Sequence, residues 1–185
     1  MMIIRLVDFC SALFGLLLLW PMLLVVTIIG LFDTGSPIFL QTRVGKYKKP
    51  FKLIKFRTMS IDTQSVASHL ASTSSITKLG AFLRKTKIDE LPQLINVLKG
   101  EMSLVGPRPN LFNQEELIKE RDALGVYDVL PGITGLAQVQ KIDMSTPQLL
   151  AKTDRIMIDT LNVANYFRYI IMTVTGKGRG DAIKS

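Results

Sequence analysis

The longest uniform stretch of the chain is apolar and lies near its start. Residues 9–32 form 24 consecutive positions without a charged side chain. As a helix this segment would be about 36 Å long, against about 30 Å for the hydrocarbon core of a bilayer. It is too long for a signal peptide, Arg5 is the only basic residue before it, and no small-x-small cleavage site follows. The pattern therefore predicts a membrane anchor.

Pro21 stands near the middle of this apolar segment and leaves two geometries open. Proline removes one backbone hydrogen bond and clashes with the preceding turn, so it kinks or breaks a helix. A kinked span would carry the N-terminus across the membrane, whereas a re-entrant helix would return to the face that it entered. Hydropathy alone favours the simple span.

Shorter patterns follow the apolar segment. Apolar and polar residues alternate within residues 36–59, and Gly45 and Pro50 split this segment, so it predicts a small β-hairpin or irregular β structure near the bilayer. Residues 60–77 are rich in Ser and Thr and contain His69, which predicts a loop or a poorly formed helix with a solvated histidine.

A helix is predicted in the centre of the chain. Apolar residues recur at helical spacing from Leu91 to Leu98, and Gly100 is placed to cap the end. Pro92 is tolerated only in a first turn, so this helix should begin near Asp89.

Three more helices complete the predicted fold. Asn113 and Glu116 fit a capping box for a helix over residues 114–124, which Gly125 would end. Pro147 opens another helix, and residues 162–175 are apolar enough for a core or interfacial helix. The chain is therefore predicted to be mainly α with short β elements (α+β), with residues 1–35 as the anchor and residues 36–185 as one cytoplasmic domain.

Charge supports the cytoplasmic placement. The 185 residues carry 23 basic and 15 acidic side chains, and seven basic residues but no acidic one lie within residues 43–57. The positive-inside rule places such a run on the cytoplasmic face. The run could also bind phosphorylated substrates or nucleic acid, but no aromatic-rich stacking platform accompanies it, so no nucleic-acid partner is expected. The single cysteine, Cys10, excludes an internal disulfide.

Asp89 and Glu90 are the first candidates for chemistry. A helix start favours the ionised form of a carboxyl group, an ionised aspartate can attack phosphorus, and its neighbour can bind Mg²⁺. The alternative is an acidic first turn that only stabilises the helix.

Basic residues supply the candidate phosphate contacts. Pro107 fixes its own φ and Pro109 restricts Arg108 to an extended conformation, so the backbone of this arginine is largely set before any ligand arrives. A guanidinium held in this way can bind phosphate oxygens with two parallel hydrogen bonds. Lys55 and Arg57 alternate along a predicted strand and should point to one side, towards a diphosphate or anionic lipid headgroups.

Three segments together resemble the bacterial sugar transferase family, the small monotopic phosphoglycosyl transferases. They are FKLIKFRTM (51–59), IDELPQLINVLKGEMSLVGPRP (88–109) and PGITGLAQV (131–139), behind an apolar N-terminus. The similarity covers residues 3–175, and its central block is long and specific.

The resemblance implies an activity. Family members transfer a sugar-1-phosphate from a UDP-sugar to undecaprenyl phosphate and release UMP, using Mg²⁺ and a covalent aspartyl intermediate. This is the first membrane step of O-antigen, capsule or glycoprotein glycan assembly, at the cytoplasmic face of the bacterial inner membrane. The sequence does not name the sugar, and it leaves a homodimer open.

The resemblance also implies roles for individual residues. Asp89 matches the nucleophile, Glu90 the acid of the metal site, Arg108 the arginine that contacts phosphate, and Arg84 the basic residue five positions before the aspartate. Gln138 is a further predicted substrate-binding residue, together with Lys55 and Arg57. The family's N-terminal segment is a re-entrant helix broken at a proline, which matches Pro21 and reverses the preference from hydropathy.

The chain departs from the family pattern at several positions. Trp20 replaces the serine that often precedes the helix-breaking proline, and Leu130 replaces an arginine before PGITG. Ile156 and Met157 replace a tyrosine pair. These departures mark the C-terminal third as a divergent branch, so the donor specificity of better-known members is not carried over. The alternative function is an inactive membrane-anchored scaffold or regulatory homologue, and the intact acidic pair and Arg108 argue against it.

Overall fold

A computed structural model describes residues 2–63 and 75–175; the segment with His69 lies outside these residues. The helices are α1 (Met2–Thr34), α2 (Lys78–Thr86), α3 (Gln93–Lys99), α4 (Glu115–Ala123), α5 (Leu136–Val139), α6 (Pro147–Thr160) and α7 (Val163–Val174). The strands are β1 (Ile38–Val44), β2 (Pro50–Phe56), β3 (Ser103–Val105) and β4 (Gly132–Thr134). Helices predominate over short strands, which confirms the predicted α+β class.

Helix α1 confirms the predicted apolar helix. Ile3–Thr34 is long and apolar enough to cross a membrane. The helix continues past Pro21, so the predicted break at this proline is not confirmed. Trp20, beside the proline, is 59% exposed.

Both halves of α1 pack against the rest of the chain. Ala12 is buried in one apolar cluster with Phe51 and Val97. Val26 is buried in another with Phe56 and Leu83. The remaining surface of α1 exposes a continuous apolar face, because large apolar side chains such as Phe14, Leu17 and Phe32 are exposed along its length. The anchor therefore belongs to the hydrophobic core on one side and is available to lipid on the other.

The predicted hairpin is confirmed. Strands β1 and β2 pair antiparallel, from Ile38 opposite Phe56 to Val44 opposite Pro50. A 3₁₀ turn at Lys46–Lys48 joins them, and Tyr47 and Lys48 adopt positive φ values there.

Strands β3 and β4 form a small parallel sheet that carries the loop of residues 106–109, the GPRP loop. Ser103 lies opposite Gly132, and Val105 lies opposite Thr134. A Cβ on Gly132 would lie 2.0 Å from the backbone nitrogen of Gly106, so this crossing of two backbones requires glycine. The close approach places the GPRP loop directly beside the PGITG segment.

The predicted central helix begins later than expected. Asp89 and Glu90 lie in a separate 3₁₀ turn, Ile88–Glu90, and α3 starts at Gln93 with Pro92 as its N-cap. The left-handed conformation of Lys87, with φ of 59°, ends α2 and starts this turn. Gly100 adopts φ of 82° at the end of α3, as predicted for a capping glycine.

The predicted capping box is wrong, although the helix is present. Helix α4 starts at Glu115 with Gln114 as its N-cap, and that side chain makes no capping hydrogen bond. The Gln114 Oε1 instead accepts from the Leu111 nitrogen at 2.9 Å, within the preceding turn. Gly125 follows the helix with φ of 65°, and α6 and α7 confirm the two remaining predicted helices.

Candidate active site

Asp89 and Glu90 are presented by a tight turn between two helices. The Glu90 nitrogen donates to the Lys87 carbonyl at 3.2 Å, and the Leu91 nitrogen donates to the Ile88 carbonyl at 3.2 Å. These bonds fix the backbone of both acids. Asp89 is only 8% exposed.

The GPRP loop brings Arg108 to this acidic pair. The Arg108 Nη2 lies 2.8 Å from Glu90 Oε1, and the two side chains are 23% and 13% exposed. The GPRP loop therefore delivers a guanidinium to the predicted metal ligand, next to the predicted nucleophile. The ion pair is partly open to solvent, so its arginine is accessible to an anionic ligand.

Arg84 reaches the same region from α2. Its Nε donates to Thr58 Oγ1 at 2.8 Å, which fixes the side chain. This contact requires α2 to lie against the backbone of Thr58: a Cβ on Gly80 would meet the Thr58 carbonyl oxygen at 2.0 Å. The Nη1 of Arg84 is buried and has no hydrogen-bond partner among the described residues. A buried donor in this state is suited to an anionic ligand.

The pKa of Asp89 is shifted against the predicted direction. Burial, together with the negative charge of Glu90, raises the pKa of Asp89 to about 7, against the opposing charges of Lys55, Arg84 and Arg108. A helix start was expected to favour the ionised form of this carboxyl, whereas its surroundings shift the pKa in the opposite direction. The turn precedes α3 rather than forming its first residues, and burial of Asp89 disfavours the charged form.

The two predicted strand cations have different surroundings. Lys55 Nζ and the Arg57 guanidinium carbon lie 5.5 Å and 5.3 Å from the Phe39 ring centre, which confirms that they point to one side. Lys55 also acts electrostatically on Asp89. Arg57 donates through Nε to the Ser36 carbonyl at 2.8 Å, at the junction between α1 and β1.

Gln138 lies behind the GPRP loop. A Cβ on Gly135 would lie 2.7 Å from the Gly106 carbonyl oxygen and 3.1 Å from Gln138 Oε1, so these atoms are neighbours. Both polar atoms of the Gln138 amide are buried without a partner among the described residues. Its role in substrate binding stays a prediction.

The acidic pair offers oxygen ligands of the kind that a magnesium ion uses. Mg²⁺ prefers oxygen ligands and usually keeps several waters besides one or two carboxylates and substrate phosphates. Asp89 and Glu90 offer such carboxylates, and the described residues contain no group of three or more acidic, His or Cys side chains suited to a metal. A divalent cation beside them would also offset the repulsion that raises the pKa of Asp89.

Sequence reasoning missed four residues around the site. Lys87 is close enough to interact electrostatically with Glu90 and Arg108, and burial lowers its pKa. Asn110, Arg121 and Asp154 are buried behind the GPRP loop. A signal for the last two was present, because Arg121 follows the buried Leu117 by four positions and Asp154 follows the buried Leu150 by four.

Sequence comparisons identify relatives of this chain among known proteins. The sequence model of the bacterial sugar transferase family matches residues 1–178. An uncharacterised sugar transferase of Bacillus subtilis (strain 168) is 44% identical over 140 residues, which cover 75% of this chain and 69% of that protein. The exopolysaccharide production protein PSS of Rhizobium leguminosarum bv. phaseoli is 39% identical over 88% of this chain and 86% of that protein.

Several relatives carry the name of a reaction. The UDP-glucose:undecaprenyl-phosphate glucose-1-phosphate transferase of Caulobacter vibrioides is 38% identical over 84% of this chain and 60% of that protein. The chain spans only 34% to 40% of several longer relatives.

Proposed function

The chain belongs to the bacterial sugar transferase family, and we propose that it transfers a sugar-1-phosphate from a UDP-sugar to undecaprenyl phosphate. The observation that carries this proposal is the convergence of three basic side chains, each from a different chain segment, on one carboxyl group. Lys55 from β2, Arg84 from α2 and Arg108 from the GPRP loop all act on Asp89 in its turn. The name of the Caulobacter relative supports the same two substrates.

The proposed reaction proceeds in two displacements at phosphorus. The ionised Asp89 oxygen attacks the phosphorus that bears the sugar, and the bond from that phosphorus to the bridging oxygen breaks. UMP leaves with the bridging oxygen, and the sugar-phosphate stays on Asp89. An oxygen of undecaprenyl phosphate then attacks the same phosphorus and releases Asp89, which gives undecaprenyl-diphosphate-sugar.

The basic residues stabilise the charge that this chemistry moves. Arg108 and Arg84 can bind the phosphate oxygens, and charge-assisted hydrogen bonds are among the strong ones. Glu90 would hold Mg²⁺, which when bound would supply Lewis-acid stabilisation of the diphosphate. Lys55 lowers the pKa of Asp89 and so favours the nucleophilic form.

The contacts of α1 support a helix that leaves both its ends on the cytoplasmic face. Near its N-terminus, Arg5 Nη2 donates to the Val97 carbonyl at 2.7 Å. One turn later the buried Asp8 Oδ1 accepts from the Leu104 nitrogen at 2.8 Å and the Tyr166 hydroxyl at 2.6 Å. Val26, in the other half, packs against the same catalytic domain. A helix that carried its N-terminus across the bilayer would separate these partners.

The pathway and the location follow from the proposed acceptor. Undecaprenyl phosphate is a membrane lipid, so the reaction belongs at the bacterial inner membrane, with the domain on the cytoplasmic face. We place it at the first membrane step of O-antigen, capsule or glycoprotein glycan assembly. The printed name of the Rhizobium relative, an exopolysaccharide production protein, supports a role in surface polysaccharide.

A donor screen tests the reaction. The purified chain in detergent is incubated with undecaprenyl phosphate, Mg²⁺ and each member of a UDP-sugar panel, and UMP is measured. Release of UMP with at least one donor, dependent on the lipid phosphate for turnover, is expected. Failure with every donor would favour an inactive scaffold or regulatory homologue. Crosslinking in the same detergent would test the homodimer.

Labelling of an N-terminal tag tests the placement of α1. A cysteine placed ahead of Met2 should react with an impermeant reagent in inside-out vesicles and not in intact cells after outer-membrane permeabilisation. A Cys10→Ala background removes the native thiol, which is exposed on α1. Labelling only from the outer side of the inner membrane would support the simple span.

A further inference from the structure

A buried ion pair lies directly behind the GPRP loop and takes no part in the proposed reaction. Arg121 on α4 and Asp154 on α6 are 1% and 0% exposed. The Arg121 Nε and Nη2 donate to Asp154 Oδ2 at 3.0 Å and 2.7 Å. Two of the three guanidinium nitrogens are therefore committed to this carboxylate.

The third nitrogen of Arg121 points into the loop. Its Nη1 donates to the backbone carbonyl of Arg108 at 2.8 Å and to Asn110 Oδ1 at 2.9 Å. Asn110 is fully buried, and the Tyr127 hydroxyl donates to the same Oδ1 at 2.9 Å. The Arg121 guanidinium thus links the Asp154 carboxylate on α6 to the backbone of Arg108, whose side chain lies in the candidate active site.

The loop is held mainly through its carbonyl groups, because its prolines have no N–H to donate. Four successive carbonyls, from Pro107 to Asn110, each accept a hydrogen bond. The donors are the Gly132 nitrogen at 2.9 Å, Arg121, the Arg43 Nη1 at 3.1 Å and the Val44 nitrogen at 2.9 Å. Arg121 donates to the carbonyl of Arg108 itself. This hydrogen bond therefore fixes the backbone of the residue whose guanidinium reaches the active site.

Stability alone is a weak reason for this pair. A buried ion pair loses the hydration of both charges, and well-packed apolar residues can often replace it without loss of stability. The Asp154 Oδ1 is buried without a partner among the described residues, which adds to the unfavourable desolvation. The contact that an apolar pair could not reproduce is the one from Nη1 to the Arg108 carbonyl.

We infer that Arg121, held by Asp154, is a positioning residue that fixes the GPRP loop so that Arg108 reaches Glu90 and the phosphate groups beside Asp89. This inference rests on the proposed function for its kinetic readout. Arg121 acts through Arg108 and does not itself touch the reacting atoms.

The kinetic test measures coupling between Arg121 and Arg108. The variant Arg121→Lys keeps the positive charge next to Asp154. It lacks the planar guanidinium that donates to the Asp154 carboxylate and to the Arg108 carbonyl at the same time. Because small misplacements of catalytic groups can lower rates by about 100-fold, Arg121→Lys should lower kcat/KM for UMP release by up to about that factor. The double variant with Arg108→Ala should lose no more activity than Arg108→Ala alone.

Two controls isolate this coupling. Asp122→Asn alters the next residue of α4, whose carboxylate forms an exposed ion pair with Lys48, and should leave UMP release unchanged. Arg84→Ala removes a cation that reaches the site from another element, and its effect should multiply with that of Arg121→Lys. If Arg121→Lys and Arg108→Ala also multiply, the inference is wrong.

Hydrogen exchange tests the inference without any activity. Peptides that cover residues 104–113 should exchange faster in Arg121→Lys than in the wild type, whereas peptides of α3 should not change. If the lysine variant does not fold, the apolar pair Arg121→Met with Asp154→Leu replaces it, since such a pair can preserve the fold. Unchanged exchange in the loop would overturn the inference, even if the chain proved to have another activity. Faster exchange in the loop without UMP release would overturn only the proposed function.

Discussion

Two arginine–carboxylate pairs lie on opposite sides of the GPRP loop and differ in burial. The Arg121–Asp154 pair is 1% and 0% exposed, whereas the side chains of the Arg108–Glu90 pair are 23% and 13% exposed. Both pairs involve the residue Arg108, the first through its carbonyl and the second through its guanidinium. One loop therefore has a fixed inner face and an accessible outer face.

Because the two pairs differ in burial, their arginines have different roles although the interacting groups are the same. A fully buried guanidinium has no route to an incoming ligand, so its bonds can only hold the protein's own groups. A partly exposed guanidinium can exchange its carboxylate partner for phosphate oxygens, which suit its planar fork equally well. The comparison predicts that changes on the inner face alter stability and loop order, and lower the rate only through the loop. Changes on the outer face should alter the chemistry directly, with little loss of stability.

The largest expected effect concerns the outer face. Asp89→Asn removes the proposed nucleophile and should lower the rate of UMP release by at least about 10⁴-fold, since the loss of a nucleophile in a two-step mechanism removes the pathway. Circular dichroism and a thermal melt should show a folded domain. A variant with wild-type turnover would rule out Asp89 as the nucleophile.

The next largest effect concerns the inner face. Asp154→Ala leaves the Arg121 charge buried without its carboxylate, so the free energy of unfolding should fall by about 3–5 kcal/mol. Denaturant unfolding in detergent measures this difference. Glu90→Ala, on the outer face, is the matched control and should change stability by no more than about 1 kcal/mol. Equal losses in the two variants would remove the distinction between the two faces.

Arg108→Ala should produce the opposite profile. It removes charge-assisted contacts to phosphate and should raise the activation free energy for UMP release by about 2–3 kcal/mol. Stability should change little because the pair with Glu90 is partly exposed. Steady-state kinetics and a melt on the same preparation measure both quantities. A large loss of stability with little loss of kcat/KM would assign Arg108 to the scaffold instead.

A smaller effect is expected in the pH dependence of stability, because Asp89 has a raised pKa in the folded protein. Its folded pKa of about 7 exceeds the ordinary value of 3.8, so the folded state holds a proton that the unfolded state releases between these values. The resulting stabilisation is fully present below pH 3.8 and is lost as the pH rises through 7. Asp89→Asn does not titrate, so its stability relative to the wild type should increase by on the order of 2 kcal/mol from pH 5 to pH 8.

The measurement for this prediction is a series of melts of both proteins in EDTA, because a divalent cation would lower the pKa of Asp89. A constant difference between the two proteins across this range would show that the carboxyl is ionised throughout. In that case burial would not govern the charge of the outer face.

The smallest expected effect comes from an ion pair that belongs to neither face. Lys48 and Asp122 lie 2.7 Å apart, but their side chains are 48% and 50% exposed. Asp122→Ala should change the free energy of unfolding by less than about 1 kcal/mol and leave UMP release unchanged. A melt and a UMP assay check this. A larger effect would mean that the position of α4, rather than the Arg121 fork, controls the loop.

Local patterns predicted most of the elements correctly. The apolar anchor, the hairpin split at Gly45 and Pro50, and the helix that Pro147 opens depend on periodicity and on residues that act on their own backbone. Errors arose where two local signals competed. Asn113 and Glu116 fit a capping box, but Gln114 bonds to Leu111 within the preceding turn and the helix starts without a side-chain cap.

Part of the candidate site was predicted correctly because its residues lie in motifs that act on their own backbone. Asp89, Glu90 and Arg108 lie in motifs with strong local geometry, and the structure brings them together. Arg121 and Asp154 stand in ordinary polar stretches of two helices, 33 positions apart. The helical spacing from Leu117 and Leu150 places them on buried faces, but that spacing does not indicate which partner each one meets.

The sequence by itself determined the apolar anchor, the helices, the hairpin, the family and the motif residues, because these depend on side-chain type and short-range spacing. Only the tertiary structure decided that α1 lies against the catalytic domain along both halves, that Asp89 is desolvated, and that Arg121 supports the loop. Burial and long-range contact depend on how elements pack, and packing joins residues that no local pattern relates.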